Sequence, residues 1–238
     1  VGVYYLAGGG DPSDSDGNYT IYPIPQKVTD EDGTVGLTDT VNVVVEDGID
    51  AVTHDRVDEV LTENGLTPQY SEDPSDDYTN LYVGINGSGG AADSLEDIPR
   101  EVFDEGENKY DMHVVKVFEE GDIVVLGKDT DAAYYGLATL EQMLGQTEDG
   151  QLKISTFEDY AFQKYRGCVE GYYGYPWSVE GTLSWFDFAK KYKMNVFLYG
   201  PKNDPYHLGQ WDEDYPTEVT EEESKLGVRT QDEMRQIA

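Results

Sequence analysis

The stretch RGCVEGYYGYPWS at residues 166–178 gathers side chains that are well suited to hold a small polar ligand. Gly171 has no side chain, so a backbone amide or carbonyl at this position can come close to a ligand. Aromatic rings of the kind that pack against a sugar follow it at Tyr172, Tyr173, Tyr175 and Trp177. The one carboxylate of the stretch, Glu170, raises the question of whether it is the acid of an active site.

A second short stretch, GPKND at residues 200–204, adds a cation to this set. The Lys202 ammonium can donate a hydrogen bond to a hydroxyl and does not require a phosphate. Together the two stretches suit a carbohydrate site. Each feature also has a structural explanation, because glycines serve turns, aromatic rings fill cores, and Lys202 could pair with Asp204 at the surface. The residue types alone leave these alternatives open.

The pattern around both stretches predicts the elements that position them. YRGCVEG at 165–171 predicts a buried strand, Ser178 is suited to cap a helix over 179–193, and NVFLYG at 195–200 predicts a second strand. Strand, helix and strand in this order form a βαβ unit, with parallel strands joined by a right-handed crossover. If the unit belongs to a (β/α) barrel, both stretches follow strand ends and lie on one rim.

The preceding part of the chain, residues 21–157, predicts a small α+β domain. Four stretches have the apolar character of strands: VNVVVED at 41–47, LYVGI at 81–85, YDMHVVKVF at 110–118 and DIVVLG at 122–127. One helix is expected between a cap at Asp50 and a stop at Gly65, and another between a cap at Thr130 and a stop at Gly145. The apolar residues of the second helix face one way: Ala133, Leu137, Leu140 and Leu144. We therefore expect a sheet with about two helices packed on one face.

Residues 1–20 are rich in Gly, Asp and Ser and predict a loosely ordered lead-in. Asp14 and Asp16 hint at a calcium loop, but Pro12 and Pro23 occupy the positions of its first and last ligands. The three histidines lack metal-ligand spacing, and a single cysteine excludes a disulfide within the chain. No metal site and no cofactor are expected.

The glycine-rich stretch LYVGINGSGGAA at 81–92 follows a strand and invites comparison with phosphate-binding loops. It lacks the GK[ST] ending, it meets the GxGxxG spacing only loosely, and Pro99 soon interrupts any helix. We expect a loop whose glycines serve backbone geometry alone.

The charge of the chain narrows the classes of partner. Its 238 residues include 16 basic and 49 acidic side chains, which give a net charge of −33. Such a surface repels phosphate backbones and anionic lipid headgroups, so neither nucleic acid nor a membrane surface is expected as a partner. No apolar run approaches the roughly 20 residues that a membrane span needs. Hydrophobic residues make up 38% of the chain, enough to form a core.

The end of the sequence predicts a further helix. Thr230 and Glu233 have the spacing of a capping box, yet the chain stops soon afterwards, at Ala238. A lone βαβ unit leaves its sheet edges open and one sheet face uncovered. We therefore expect residues 158–238 to be an incomplete second domain and the sequence to be the front of a longer protein.

The two stretches resemble the start of the catalytic domain in glycoside hydrolase family 84. These β-N-acetylglucosaminidases include O-GlcNAcases and bacterial enzymes once named hyaluronidases. The resemblance covers about residues 157–216 and rests on EGYYGYPW followed, after one helix, by YGPKND. Gly200 and Asn203 stand where alanine and aspartate are usual. Upstream, YPIPQKV and DTDAAYYGLATLEQML resemble the accessory domain that precedes the barrel in families 84 and 20.

The resemblance implies an α+β N-terminal domain, like the accessory domain of hexosaminidases, followed by the first βαβ unit of a truncated (β/α)8 TIM barrel. It also implies a retaining hydrolase in which the N-acetyl carbonyl of the substrate attacks the anomeric carbon. One carboxylate then orients the acetamide and a second serves as acid and base. By this match, Gly171 and Lys202 carry over as contacts to the sugar, and the aromatic character of Tyr173 and Trp177 adds them as further candidate contacts. Nothing in the family pattern makes Glu170 the acid.

The implied catalytic pair is two adjacent aspartates at the end of a later barrel strand, which is expected beyond Ala238. The one adjacent pair in this chain, Asp76-Asp77, lies in the acidic stretch SEDPSDDYT and predicts a solvated loop. The chain alone is therefore expected to be inactive. With the remainder of the barrel, the parent would remove terminal β-linked N-acetylglucosamine from glycoproteins or glycans, in a secreted or cell-surface bacterial setting. The alternatives are a family 20 hexosaminidase and a non-catalytic carbohydrate-binding or scaffold module.

Overall fold

One mixed sheet organises the part of the chain that ends at Phe162. The computed structural model describes residues 19–170, 176–200, 204–210 and 212–238. The chain divides into two compact units between Phe162 and Gln163. Within the described part of the first unit, the sheet has seven strands: β1 (Lys27–Gly36), β2 (Thr40–Val45), β3 (Thr67–Tyr70), β4 (Thr79–Ile85), β5 (Tyr110–Val117), β6 (Ile123–Gly127) and β7 (Gln151–Ala161).

The spatial order of the strands is β1-β7-β5-β6-β4-β2-β3. Strands β3, β2, β4 and β6 run parallel to one another, whereas β5, β7 and β1 join by antiparallel pairing. The parallel strands β2, β4 and β6 are buried along most of their length, which explains their Val-rich and Leu-rich sequences. All four strands predicted from apolar runs are confirmed as β2, β4, β5 and β6.

Three strands escaped prediction because their sequences lack an apolar pattern. β1 is exposed along nearly its whole length, and β3 contains Pro68, as suits the two edges of the sheet. β7 lies inside the sheet between β1 and β5. It nevertheless buries Thr156, Glu158 and Asp159, and these polar residues hide its strand character in the sequence.

Helix α1 (Ala51–Glu63) begins where the sequence predicts. The Asp50 side chain accepts a hydrogen bond from the backbone N–H of Thr53 at 2.8 Å. The helix ends at the cap residue Asn64, and Gly65 follows with a φ of 78°, a left-handed conformation that glycine adopts without strain.

Helix α2 (Thr130–Leu144) begins one residue away from the predicted cap. Asp129, not Thr130, is the N-cap, because its extended backbone and carboxylate reach the backbone N–H of Ala132 at 2.9 Å. Thr130 is the first helical residue, and its hydroxyl accepts from the backbone N–H of Asp50 at 3.0 Å. This contact joins the starts of the two helices. Gly145 caps the end of α2, as predicted.

The core of the first unit lies on both faces of the sheet. Both helices contribute to one cluster of buried side chains, which includes Val57, Val60, Leu61, Leu137, Leu140 and Met143 together with residues of β2, β4, β5 and β6. The four α2 residues predicted to face one way are all buried. The opposite face carries a second cluster, covered in part by Ile98 and Val102. The prediction of two helices packed on one sheet face is therefore confirmed.

The second unit contains the predicted βαβ element. Strands β8 (Gly167–Val169) and β9 (Val196–Leu198) pair in parallel, and helix α3 (Val179–Lys191) connects them. The Ser178 side chain accepts from the backbone N–H of Gly181 at 3.0 Å, which confirms Ser178 as the N-cap of α3. Three short helices follow: α4 (Pro205–Leu208), α5 (Glu221–Lys225) and α6 (Gln231–Ile237).

The last of these helices has the predicted start. Thr230 and Glu233 form the capping box at the beginning of α6. At its other end, Ala238 is the cap residue, and its backbone N–H donates to the carbonyl of Met234 at 2.9 Å. The helix that the sequence predicts after Thr230 is therefore formed as far as Ile237.

The prediction that the first strand of this unit is buried is wrong. Val169 in β8 and its register partner Leu198 in β9 are each 49% exposed. One position earlier, Phe197 packs against Trp185 and Phe186 of α3. Since successive strand residues point to opposite faces, α3 covers the Phe197 face and leaves the Val169 and Leu198 face exposed within this unit.

Among the described residues, no helix combines the length and the apolar character needed to cross a lipid bilayer.

A buried ion pair joins the two helices of the first unit. Arg56 in α1 donates to Glu141 in α2 and, at 2.6 Å, to Glu59 one turn further along α1. The side chain of Arg56 is 1% exposed and that of Glu141 is 9% exposed. A buried charge of this kind is stable only while its counter-charge remains.

Replacing Arg56 with Ala is expected to lower the free energy of unfolding by about 3–5 kcal/mol, because it removes the cation that compensates the buried Glu141 carboxylate. Urea denaturation followed by circular dichroism measures this loss. The double variant R56M/E141L should recover most of it, since apolar side chains of similar size replace both charges.

Arg235→Ala serves as the control, since its ion pair with Asp232 is exposed and should contribute less than about 0.5 kcal/mol. A loss below about 1 kcal/mol for Arg56→Ala would contradict the proposed importance of the buried pair.

Candidate functional site

The carboxyl ends of β8 and β9 meet at one edge of the second unit. The two strands are parallel and in register, with Val169 opposite Leu198. Glu170 follows β8 directly, and Tyr199 and Gly200 follow β9. In α/β folds, ligand-binding residues collect in the loops that follow the carboxyl ends of parallel strands. The two stretches selected from the sequence therefore begin at the same edge.

Three of the predicted sugar contacts, Gly171, Tyr173 and Lys202, lie outside the described residues, as do Tyr172 and Tyr175. Their roles stay predictions. The residues that border them are described, and these are Glu170 and Pro176 on one loop and Gly200 and Asp204 on the other.

Trp177 is the predicted contact that the structure describes. Its ring lies 5.9 Å from the ring of Phe197, between centroids, on the sheet face that α3 covers. Its backbone is bonded on both sides: the N–H donates to Glu170 Oε1 at 3.0 Å, and the carbonyl accepts from Arg229. The residue is half-buried. Its role as a sugar contact stays a prediction.

Glu170 is a buried carboxylate, 1% exposed. Its backbone N–H donates to the carbonyl of Leu198 at 2.9 Å, which extends the pairing of the two strands by one residue. Burial and the nearby charge of Glu170 raise the pKa of Cys168, two residues earlier. Oε1 accepts from Trp177, whereas Oε2 is buried with no hydrogen-bond partner among the described residues.

Asp204 is the second buried carboxylate at this edge, 0% exposed. Its Oδ2 accepts from the hydroxyls of Tyr199 and Tyr215, each at 3.1 Å. Its Oδ1 accepts from the backbone N–H of Tyr206 at 3.0 Å and so caps α4. Burial and the adjacent Asp204 charge raise the pKa of Tyr215 to about 12 and also raise that of Tyr199.

Arg229 is the residue of this region that sequence reasoning missed. It is 5% exposed, it donates to the carbonyl of Trp177, and its positive charge acts to lower the pKa of Tyr199. It therefore lies within electrostatic reach of the hydrogen-bond partner of Asp204. The sequence offers one signal: Arg229 follows the short apolar stretch Leu226–Val228, directly before the capping box.

In the glycine-rich loop of the first unit, backbone N–H groups donate to a carboxylate of the same loop. Gly87 and Gly89 have φ values of 84° and 76°, and their backbone N–H groups each donate to Asp93 at 2.9 Å. Arg100 in turn donates to Asp93 Oδ1 at 2.7 Å. The carboxylate of Asp93 thus occupies the place that a phosphate would need, in agreement with the prediction of a loop shaped by its own backbone requirements.

The remaining sequence candidates do not form sites within the described residues. Asp76 and Asp77 are both exposed in the loop between β3 and β4, as predicted for a solvated loop. Asp14 and Asp16 lie outside the described residues. Among the residues that are described, no three potential metal ligands come together.

The resemblance implies a catalytic aspartate pair after a later barrel strand, and no such pair is expected within residues 1–238. Ala238 caps α6, the last described element, and no aspartate pair follows β8 or β9 within the described residues. The position of the pair therefore stays a prediction.

Two family models match the chain. One described as beta-N-acetylglucosaminidase matches residues 166–237, and one described as glycosyl hydrolase family 20, domain 2, matches residues 18–160. The Protein O-GlcNAcase of Rattus norvegicus is 41% identical over 56 residues, which are 24% of this chain and 6% of that protein.

Two solved structures extend the similarity over both units. CpGH84D is 37% identical with a TM-score of 0.76, over 90% of this chain and 36% of that one. CpGH84B is 27% identical with a TM-score of 0.66, over 92% of this chain and 34% of that one. The chain thus spans about a third of the length of these solved relatives.

The two tyrosines bound to Asp204 are expected to make the second unit sensitive to alkali. Their pKa values in the folded protein lie above the ordinary value of 10.0, so the unfolded chain loses these protons at a lower pH than the folded chain. The contribution of Tyr215 to stability is therefore present below pH 10 and is lost as the pH rises from 10 to about 12, and the contribution of Tyr199 also declines above pH 10.

Urea denaturation at several pH values between 8 and 12 tests this expectation with the Y199F/Y215F variant. The variant should be less stable at pH 8, because Asp204 loses two hydroxyl donors, and should lose less further stability above pH 10. Tyr165→Phe, at a position 72% exposed, is the matched control and should follow the wild type. An identical slope above pH 10 in Y199F/Y215F and wild type would contradict the assignment.

Proposed function

Since this chain belongs to glycoside hydrolase family 84, the β-N-acetylglucosaminidases, we propose that its parent protein removes terminal β-linked N-acetylglucosamine from glycoproteins or glycans. The observation that carries the proposal is the placement of the two motif stretches. EGYYGYPW and GPKND both begin at the carboxyl ends of paired parallel strands, where enzymes of this architecture bind their substrates.

We propose further that residues 163–238 contain the first βαβ unit of a (β/α)8 barrel. The parallel pairing of β8 with β9 through α3 supports this architecture. So does the exposure of Val169 and Leu198 on the face opposite α3. In such a barrel, that face points to the interior, where side chains of the other strands would cover it.

The proposed sugar contacts are the two residues matched to the family, Gly171 and Lys202, and two aromatic residues near Gly171. Gly171 would offer its backbone to the sugar, and Lys202 would donate to a hydroxyl. Tyr173 and Trp177 would supply aromatic surface, although the contact of Trp177 with Phe197 leaves only part of its indole for this purpose. An uncharged sugar suits a protein with a net charge of −33.

The proposed reaction is substrate-assisted. The acetamide carbonyl of the substrate attacks the anomeric carbon, one carboxylate orients the acetamide, and a second protonates the leaving group and later activates water. We assign both carboxylates to an adjacent aspartate pair beyond Ala238, outside this chain. Asp76 and Asp77 are exposed in a loop of the first unit, which does not suit this role. We therefore propose that the 238-residue chain is inactive by itself. We also propose that its parent acts at a bacterial cell surface or in secreted form.

Hydrolysis of an aryl β-N-acetylglucosaminide tests these proposals. The purified chain should release no aryl alcohol above a buffer blank, whereas the complete product of its gene should turn the substrate over. Turnover by the chain alone would refute the assignment of catalysis to residues outside it. A complete product that binds N-acetylglucosamine without hydrolysis would indicate a carbohydrate-binding module instead.

In the complete gene product, Lys202→Met should lower kcat/KM about 10- to 100-fold, the range expected when a charged hydrogen bond to the substrate is lost. Lys225→Met is the matched control, since Lys225 forms an exposed ion pair with Glu221 on α5 and should have no effect on turnover. Equal activity of both variants would remove Lys202 from the site.

A further inference from the structure

Each of the two loops at the edge of the second unit has a buried carboxylate that accepts hydrogen bonds from nearby residues. Glu170, at the start of the first loop, accepts from the backbone N–H of Trp177, seven residues later. Asp204, at the end of the second loop, accepts from the hydroxyls of Tyr199 before it and Tyr215 after it. Each carboxylate therefore joins positions that flank a motif stretch.

Arg229 holds the backbone of Trp177 from the other side. It donates to the carbonyl of Trp177, the residue whose N–H is held by Glu170, so the backbone of Trp177 is bonded from both sides. Its charge also acts on Tyr199, which is bonded to Asp204. A guanidinium from the segment before α6 therefore holds the residue that ends the loop after β8.

The position of Glu170 separates it from catalysis. It lies two residues after Cys168, hence on the same face of the strand, and this is the face on which Phe197 meets α3. The opposite face, with Val169 and Leu198, is the one proposed to line a barrel interior. A general acid must reach the leaving-group oxygen, whereas the Glu170 carboxylate is 1% exposed and bonded to a backbone amide.

A contribution to stability does not explain why a glutamate occupies position 170. Its Oε2 is buried with no hydrogen-bond partner among the described residues, and leaving a buried carboxylate oxygen unsatisfied is unfavourable for folding. An apolar side chain of similar size would avoid that penalty but could not hold the Trp177 N–H. The hydrogen bond to Trp177 is therefore the property that distinguishes glutamate from an apolar residue here.

We propose that Glu170 and Arg229 are positioning residues, which hold the backbone of Trp177 and so fix the place of this proposed aromatic contact of the sugar. The proposal rests on the proposed function for the identity of the substrate. Neither residue touches the substrate or transfers a proton. Their effect is on how accurately Trp177 is placed, and errors of about 1 Å in the position of a substrate contact cost enzymes large factors in rate.

Glu170→Ala and Glu170→Gln in the complete gene product test the role of Glu170. The alanine variant should lower kcat/KM about 10- to 100-fold, mainly through a higher KM, because the Trp177 N–H loses its hydrogen bond to Glu170. The glutamine variant should recover most of this loss, since its amide oxygen can still accept from the Trp177 N–H. Both limbs of the pH profile should remain. Glu180→Ala, an exposed carboxylate in the first turn of α3, is the control.

Each other result contradicts the proposal in a different way. If Glu170→Gln is as inactive as Glu170→Ala and one limb of the pH profile disappears, Glu170 is a general acid or base. If Glu170→Ala lowers the Tm but leaves KM and kcat unchanged at temperatures where it is folded, the role is structural only. Arg229→Met should also raise KM, and combined with Glu170→Ala its effect should be less than additive, because both act on Trp177.

Amide hydrogen exchange supplies a readout that does not depend on turnover. In Glu170→Ala the backbone amide of Trp177 should exchange faster than in the wild type, and Glu170→Gln should restore its slow exchange. Unchanged exchange in Glu170→Ala would overturn the proposal that Glu170 holds the backbone of Trp177. Absence of turnover in the wild-type gene product would instead refute the proposed function, and the exchange rates would still decide whether Glu170 holds Trp177.

Discussion

The parallel hydrogen bonding of β8 to β9 is the interaction on which the candidate site depends. Its register places Val169 beside Leu198, so both strands end level and their loops leave from the same edge. Parallel strands cannot be joined by a tight turn and need a crossover, which α3 provides. The EGYYGYPW stretch must then lie between the end of β8 and the Ser178 cap of α3, and GPKND must follow β9.

Buried charges then limit how these loops can lie. A carboxylate in a low-dielectric interior is stable only where hydrogen-bond donors meet it, so it selects the backbone arrangement that brings donors to it. Asp204 collects two tyrosine hydroxyls and one backbone N–H, and Glu170 collects the N–H of Trp177. In the first unit a partly buried carboxylate, Asp93, also accepts from backbone donors, the N–H groups of Gly87 and Gly89.

The sequence predicted those features that depend on neighbouring residues. Strands β2, β4, β5 and β6 have apolar runs, and the helix starts at Asp50 and Ser178 have capping side chains, so each could be recognised locally. The edge strand β1 could not, because hydrogen bonds to β7 rather than apolar burial stabilise it. The cap of α2 was misplaced by one residue because Asp129 and Thr130 are both good N-cap residues and only the backbone distinguishes them.

Residues of the candidate site could be selected from the sequence only where its motifs are contiguous. Gly171, Tyr173 and Lys202 were selected because they occur in short stretches of unusual composition. The contact between Trp177 and Arg229 joins residues 52 positions apart and leaves no periodic or compositional trace. The partners of Asp204 were likewise hidden, since pairing with Lys202 was the simpler interpretation and the tyrosine hydroxyls reach it only through the fold.

The strongly acidic composition bears on why Glu170, Asp204 and Arg229 are buried near the candidate site. A chain with a net charge of −33 gains nothing from electrostatic attraction to the uncharged sugar that we propose as its ligand. Recognition must then come from hydrogen bonds and ring packing, which act over short distances and depend on accurate placement. Loops that present such contacts function best when hydrogen bonds hold their ends in place. The chain has 16 basic residues, and one of them, Arg229, is buried at this position. The scarcity of cations makes the burial of Arg229 beside Trp177 informative, because surface carboxylates offer many other partners for an arginine.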